Sequence, residues 1–234
     1  MVILALDLAV IAIVAFCGWR GFRNGLLRGV FGVVSIVVSL FIASIAATAY
    51  SEDFKEMLSP FVGGVIDSAL TEITDEDTKS DFSGLEGKSD NYKIAYTALR
   101  RIGLPETSAA RVAELATKDG KEGVASSGSL SDMISEKLSS VLAFVALFGI
   151  AFLLLAIIFA VIGNLVGFIF SLPGLKIIDI ITGVAFGLVK GLLIVFTLAT
   201  IVRYAGILAP DTINGTTVLK YIVNNNPIAN IIGI

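Results

Sequence analysis

The chain has 234 residues, 56% of them hydrophobic and only 16% charged, with no histidine and a single cysteine, Cys17. Ordinary soluble domains are less apolar and about one quarter charged, so this composition argues against a water-soluble globule. The missing histidine excludes Ser-His-Asp and Cys-His pairs and histidine metal ligands, one cysteine excludes an intrachain disulfide, and a net charge of −3 offers no basic surface to nucleic acid.

The expectation is therefore a protein that is not an enzyme, with no catalytic residue, cofactor or metal. Charge is concentrated in one region: residues 51–139 hold ten of the seventeen Lys/Arg and seventeen of the twenty Asp/Glu. The rest contains four apolar stretches, near 1–19, 30–50, 140–164 and 180–202, each close to the ~20 residues with which a helix crosses ~30 Å of hydrocarbon. The predicted fold class is all-α, an integral membrane protein whose four transmembrane helices form two hairpins, 1–50 and 140–205. Between them lies an acidic, helical extracytoplasmic insertion at 51–139, and an interfacial tail follows at 206–234.

The first stretch, Met1 to Trp19, is interrupted only by Asp7, and an acid at membrane depth needs a partner or water. Cys17 and Trp19 read as a buried or interfacial thiol and an aromatic-belt residue. The following turn carries Arg20, Arg23 and Arg28 and no acid. By the positive-inside rule it is cytoplasmic, which makes these arginines topology anchors and places the N-terminus, residues 51–139 and the C-terminus outside. The second stretch, Val30 to Tyr50, ends in Ala47-Thr48-Ala49, a small-x-small pattern. A cleaved signal peptide is disfavoured, because the run exceeds roughly 7–15 residues and another apolar segment precedes it.

In the insertion, Phe54, Met57, Leu58, Phe61, Val62, Val65, Ile66, Ala69, Leu70 and Ile73 recur at helical spacing, predicting an amphipathic helix over 51–74 bent at Pro60. Residues 74–90 read as a mobile acidic loop, without the glycine and terminal glutamate of an EF-hand. Short helices are predicted over 91–102 and 106–118, closed by Gly103 with Pro105 and by Gly120. A flexible linker at 123–129 follows, after which Ser129 or Ser131 caps a helix leading into the third stretch. A helical cap, an interfacial platform and a partner-binding module all fit this insertion.

The third stretch, 140–164, is the most lipid-like, and a second cytoplasmic turn surrounds Lys176. The fourth carries Lys190 three helical turns after Asp179, ~16 Å deeper on the same face. Asp7 lies at similar depth, so one reading pairs Asp7 with Lys190. In the other, Lys190 snorkels to the headgroups while Asp7 accepts backbone or hydroxyl hydrogen bonds. Arg203, with Tyr204, is an outer interfacial anchor. In the tail, Thr216 to Val223 reads as an amphipathic interfacial helix.

Two glycine ladders, Gly21/Gly25/Gly29 and Gly183/Gly187/Gly191, share a leucine after the second glycine and a cation before the third. They read as an internal repeat of two hairpins. Glycines four apart lie on one helix face and admit a neighbouring backbone, so each ladder is a packing seam that either joins the hairpins or pairs two copies.

Asp7, the turn Arg20-Gly21-Phe22, and the string Leu172-Pro173-Gly174-Leu175-Lys176-Ile177-Ile178-Asp179 leading into Gly183-x3-Gly187-x2-Lys190-Gly191 resemble the CvpA, or colicin V production protein, family. The resemblance covers roughly 1–50 and 140–205. It implies a four-helix bacterial inner-membrane protein associated with toxin production or export and with envelope homeostasis. This chain departs from the family pattern at Ile180, where a basic residue is common, at Gly25-Leu26, where an acid is common, and in the length of 51–139. The reading that follows is a scaffold or accessory component. The competing one is an oligomeric small-solute or ion channel. The partners implied are the lipid bilayer, a second copy, and an envelope or export protein that meets the acidic insertion.

Overall fold

The computed structural model describes residues 2–71, 87–118, 127–169, 176–205, 208 and 210–228. Among them all regular structure is helical: α1 Val2–Thr71, α2 Asp90–Arg101, α3 Glu106–Lys118, α4 Ser127–Ile169, α5 Lys176–Tyr204, α6 Pro210–Gly215 and α7 Val218–Asn224. The 74–90 loop lies mostly outside the described residues, as do most of the 123–129 linker and the string 172–175. Three helices, α1, α4 and α5, contain segments long and apolar enough to cross a membrane.

Two compact units emerge. One comprises Met1–Ala47, Leu147–Val202 and Asp211–Ile234, and the other Thr48–Ala146 with Arg203–Pro210. In the first unit the expected basic turn is corrected. Residues 19–29 are not a loop, because α1 stays helical throughout except at Gly25, with φ 73° and ψ −177°. A Cβ built on Gly29 would lie 3.6 Å from the Gly183 Cα, and one on Gly187 would lie 3.1 Å from the Gly21 Cα. Residues before and after Gly25 thus meet the same stretch of α5. Further out, Gly191 abuts Val14 and Cys17, whereas Gly32 abuts Lys190. The arm 2–24 therefore runs antiparallel to α5 and the arm from 26 onward runs parallel to it, and the chain reverses at one glycine.

Several hydroxyl groups in this body are satisfied within their own helices. Ser35 and Ser39 donate to the carbonyls of Phe31 and Ser35 at 2.6 and 2.7 Å, and Thr197 and Thr200 donate to Leu193 and Phe196 at 2.8 and 3.1 Å. Back-bonding of this kind lets small hydroxyl residues face a neighbouring helix without an orphaned donor. The opposite surface is apolar: Ile150, Leu153, Leu154, Ile157, Ile158 and Val161 of α4 are all more than half exposed. A continuous apolar stripe of this kind is stable against lipid and a liability in water.

The second unit packs the end of α1, α2, α3 and the start of α4 around Val62, Ile66, Leu99, Val112, Ala113 and Ile134. Each fully buried aliphatic side chain there contributes about 1.5–3 kcal/mol. Helix α2 starts where Ser89 accepts from the Tyr92 N–H at 3.3 Å. It ends in a Schellman turn, in which Gly103 (φ 92°) donates to Arg100 and Leu104 donates to Leu99. Pro60 sits inside helical α1. Ser131 is not a cap, since α4 begins at Ser127, and its hydroxyl donates instead to the Asp67 carboxylate. Lys55 bridges Glu136 and Glu52 at 3.1 and 3.2 Å, and these carboxylates, Glu136 foremost, hold its ammonium above the ordinary lysine range.

Candidate functional site

Gly25 breaks a helix, and a break leaves backbone N–H groups without partners. The first of these, on Leu26, is taken by Asp179 of α5, whose Oδ1 accepts at 2.7 Å. A Cβ on Gly25 would fall on that same carboxylate. The motif acid therefore caps the second arm of α1, which brings Asp179 and Gly25 together although 154 positions separate them.

The six ladder glycines form one seam within a single chain. A Cβ on Gly21 would collide with the Gly183 carbonyl, and one on Gly183 would lie 3.0 Å from the Gly25 Cα. On Gly187 it would collide with the Cys17 carbonyl, and on Gly191 it would lie 3.0 Å from the Val14 Cα. Gly29 faces Phe186, whose Cβ would be 2.9 Å away. At Gly21, Gly183 and Gly187 the contacts are backbone on backbone, which only glycine permits. The two ladders are not structurally equivalent, however. Gly183, Gly187 and Gly191 share one face of an unbroken helix, whereas Gly25 is the reversal point of the other ladder. The repeat reading fails there because the matching glycines do different work.

Asp7 and Lys190 are not brought together. The Asp7 carboxylate accepts from the backbone N–H groups of Thr217, Val218 and Leu219 at 2.9, 3.0 and 3.0 Å, capping α7. Asn226 holds the same tail to α5, its Nδ2 donating to the Phe196 carbonyl at 2.7 Å and to Thr200 Oγ1 at 2.9 Å. The tail thus clasps the first arm of α1 to α5, through contacts separated by more than two hundred residues at Asp7 and thirty at Asn226. Composition alone could not reveal this. The reversal did leave a local signal, because Asn24-Gly25 is a turn dipeptide.

Lys190 reaches a cavity of about 310 Å³ between both arms of α1, α4 and α5. Arg20, Arg28, Asn24, Asn164 and Ser35 share its wall, together with Phe16, Phe31 and Phe159. A Cβ on Gly32 would lie 3.1 Å from the Lys190 Cδ and 3.3 Å from its Nζ, so the missing side chain leaves the lysine stem its path. An adjoining recess of about 350 Å³ shares Phe16, Arg20, Asn24 and Arg28 and adds Trp19 and Arg23. Arg23 lies 5.8 Å from the Trp19 ring centroid, and Arg203 lies 5.6 Å from that of Tyr204. Both pairs suit a cation anchored on an aromatic ring.

Long apolar helices, a glycine seam that brings backbones into contact and an apolar outer stripe define a helical membrane protein. The family can be stated as well. The family model described as colicin V production protein matches residues 6–73 and 122–227, and the chain belongs to that family. The match takes in Asp7, the Gly25 reversal, Asp179, Lys190 and Asn226, and omits 74–121. No curated protein and no solved structure matches the chain.

Proposed function

We propose that this protein is an accessory scaffold of toxin production or export and of envelope homeostasis in the bacterial inner membrane. In this reading it crosses the bilayer four times: through the two arms of α1, through α4 and through α5. Gly25 and Lys176 face the cytoplasm, and the N-terminus, residues 51–139 and the C-terminus face outward, where the acidic helical insertion meets an export or envelope protein. The observation that carries the reading is the glycine seam. Helices locked backbone to backbone, with the tail clasped over them, make a rigid platform rather than a body built to rock. Membership of the colicin V production protein family supports the biological setting.

Transport is the second reading, and the cavity around Lys190 is what favours it, since cations at membrane depth often mark solute paths. Flux separates the two. Purified protein reconstituted in liposomes is expected to pass no ions or small solutes beyond the empty-vesicle rate. Flux that disappears in Lys190→Ala would replace the scaffold with a carrier.

A further inference from the structure

We propose that the Lys190 cavity is a binding site for a phosphate-bearing anion. Arg20, Arg28 and Lys190 all line it, and among the described residues no carboxylate does. Among the described residues none of the three makes an ion pair. Their neutral partners hold them loosely: Arg20 Nη2 donates to Asn164 Oδ1 at 3.4 Å, and Arg28 Nη1 donates to Asn24 Oδ1 at 3.4 Å. Each guanidinium has five N–H donors, so most of this donor capacity remains for a ligand.

Arg28 and Lys190 are half-buried beside apolar helices and Arg20 lies exposed at the rim, and like charges gathered in this way need compensation from an anion or from water. Two planar guanidinium forks and one ammonium suit a tetrahedral oxyanion, which accepts bidentate bonds from arginine and a point charge from lysine. The volume, about 310 Å³, is roomy for a headgroup and far larger than a halide needs. The adjoining recess carries the basic lining outward past Trp19, which is 59% exposed. A basic pocket between transmembrane helices with an aromatic mouth is the form in which anionic lipid headgroups are held. Free phosphate has the same chemistry at the binding atoms. The assignment stands whether the protein scaffolds or transports.

The test is thermal unfolding of the full-length protein in nanodiscs of phosphatidylcholine alone, of phosphatidylcholine with phosphatidylglycerol, and of phosphatidylcholine with inorganic phosphate against chloride at equal ionic strength. At saturation the occupied site is expected to raise Tm by about 5–10 °C. Arg28→Gln and Lys190→Gln should lose most of that rise, and Lys220→Gln, an exposed cation of the tail, should keep it. If Lys190→Gln does not fold, Gly32→Ala keeps the charge while crowding the lysine stem, and should shrink the rise instead. A rise with phosphatidylglycerol only assigns the headgroup, and a rise with inorganic phosphate assigns the free ion. No rise with either probe, or a rise unchanged in Arg28→Gln, overturns the site.

Discussion

Replacing Gly183 by valine is expected to remove most of the folded protein from the membrane. A Cβ at this position would meet the Gly21 carbonyl, lie 2.9 Å from the Gly25 carbonyl carbon and lie 3.0 Å from the Gly25 Cα. All three atoms belong to the backbone of the facing arm, so no side-chain rotation relieves the contact. Overpacking a core usually costs 1–3 kcal/mol, and a clash that only helix separation can relieve belongs at about 3 kcal/mol or above. Gly64→Val is the matched control, because nothing lies within 4 Å of a Cβ there. Size-exclusion profiles and Tm in detergent should show Gly183→Val aggregated or absent and Gly64→Val close to the parent. A Gly183→Val protein that elutes and melts normally would mean that the arms of α1 do not lie on α5.

Gly25→Ala should be nearly as severe, for two separable reasons. With φ 73° and ψ −177°, Gly25 occupies a backbone region essentially reserved for glycine, and a side chain there costs of order 1–3 kcal/mol. The new Cβ also collides with the Asp179 carboxylate. Asp179→Ala alone removes the cap on Leu26, a loss of about 0.5–2 kcal/mol. In the double variant the collision is gone while the backbone strain persists. Its destabilisation, read from Tm or urea unfolding, should therefore exceed that of Asp179→Ala but fall short of the sum of the two single effects. Strict additivity would show that the two residues do not touch.

How far such features can be read without a structure depends on the range over which their cause acts. The apolar stretches and the cluster of basic residues between the first two follow from composition, because lipid and water select side chains locally. Helices over 91–102 and 106–118 were foreseeable within a residue or so, since Ser89 and Gly103 punctuate them with short-range caps. Asp7 and Asp179 were conspicuous as rare acids, and the reading in which Asp7 accepts backbone hydrogen bonds holds, but which donors each acid meets was hidden. Each caps a helix start far away in the chain, and an N–H group freed by a distant break leaves no trace in local periodicity. The same limit explains the Asp7–Lys190 pairing, which assumed that opposite charges at similar depth seek each other. Backbone donors at the start of α7 proved the nearer partner for the acid. A reversal between the first two apolar stretches was expected; its form was not, because both flanks favour helix and one residue of broken geometry is enough to turn the chain.

The proposed four crossings rest on that reversal, and site-directed labelling tests them most directly. In a Cys17→Ser background, single cysteines are placed by Phe22→Cys beside the reversal, Glu52→Cys after the second arm and Asp132→Cys before the α4 apolar run, all at exposed positions that leave the arginines intact. A membrane-impermeant maleimide added to intact spheroplasts is expected to label the cysteines at 52 and 132 and to reach the one at 22 only after permeabilisation. Labelling of positions 22 and 52 from the same face would show that the arm after Gly25 does not cross, and the account would fail.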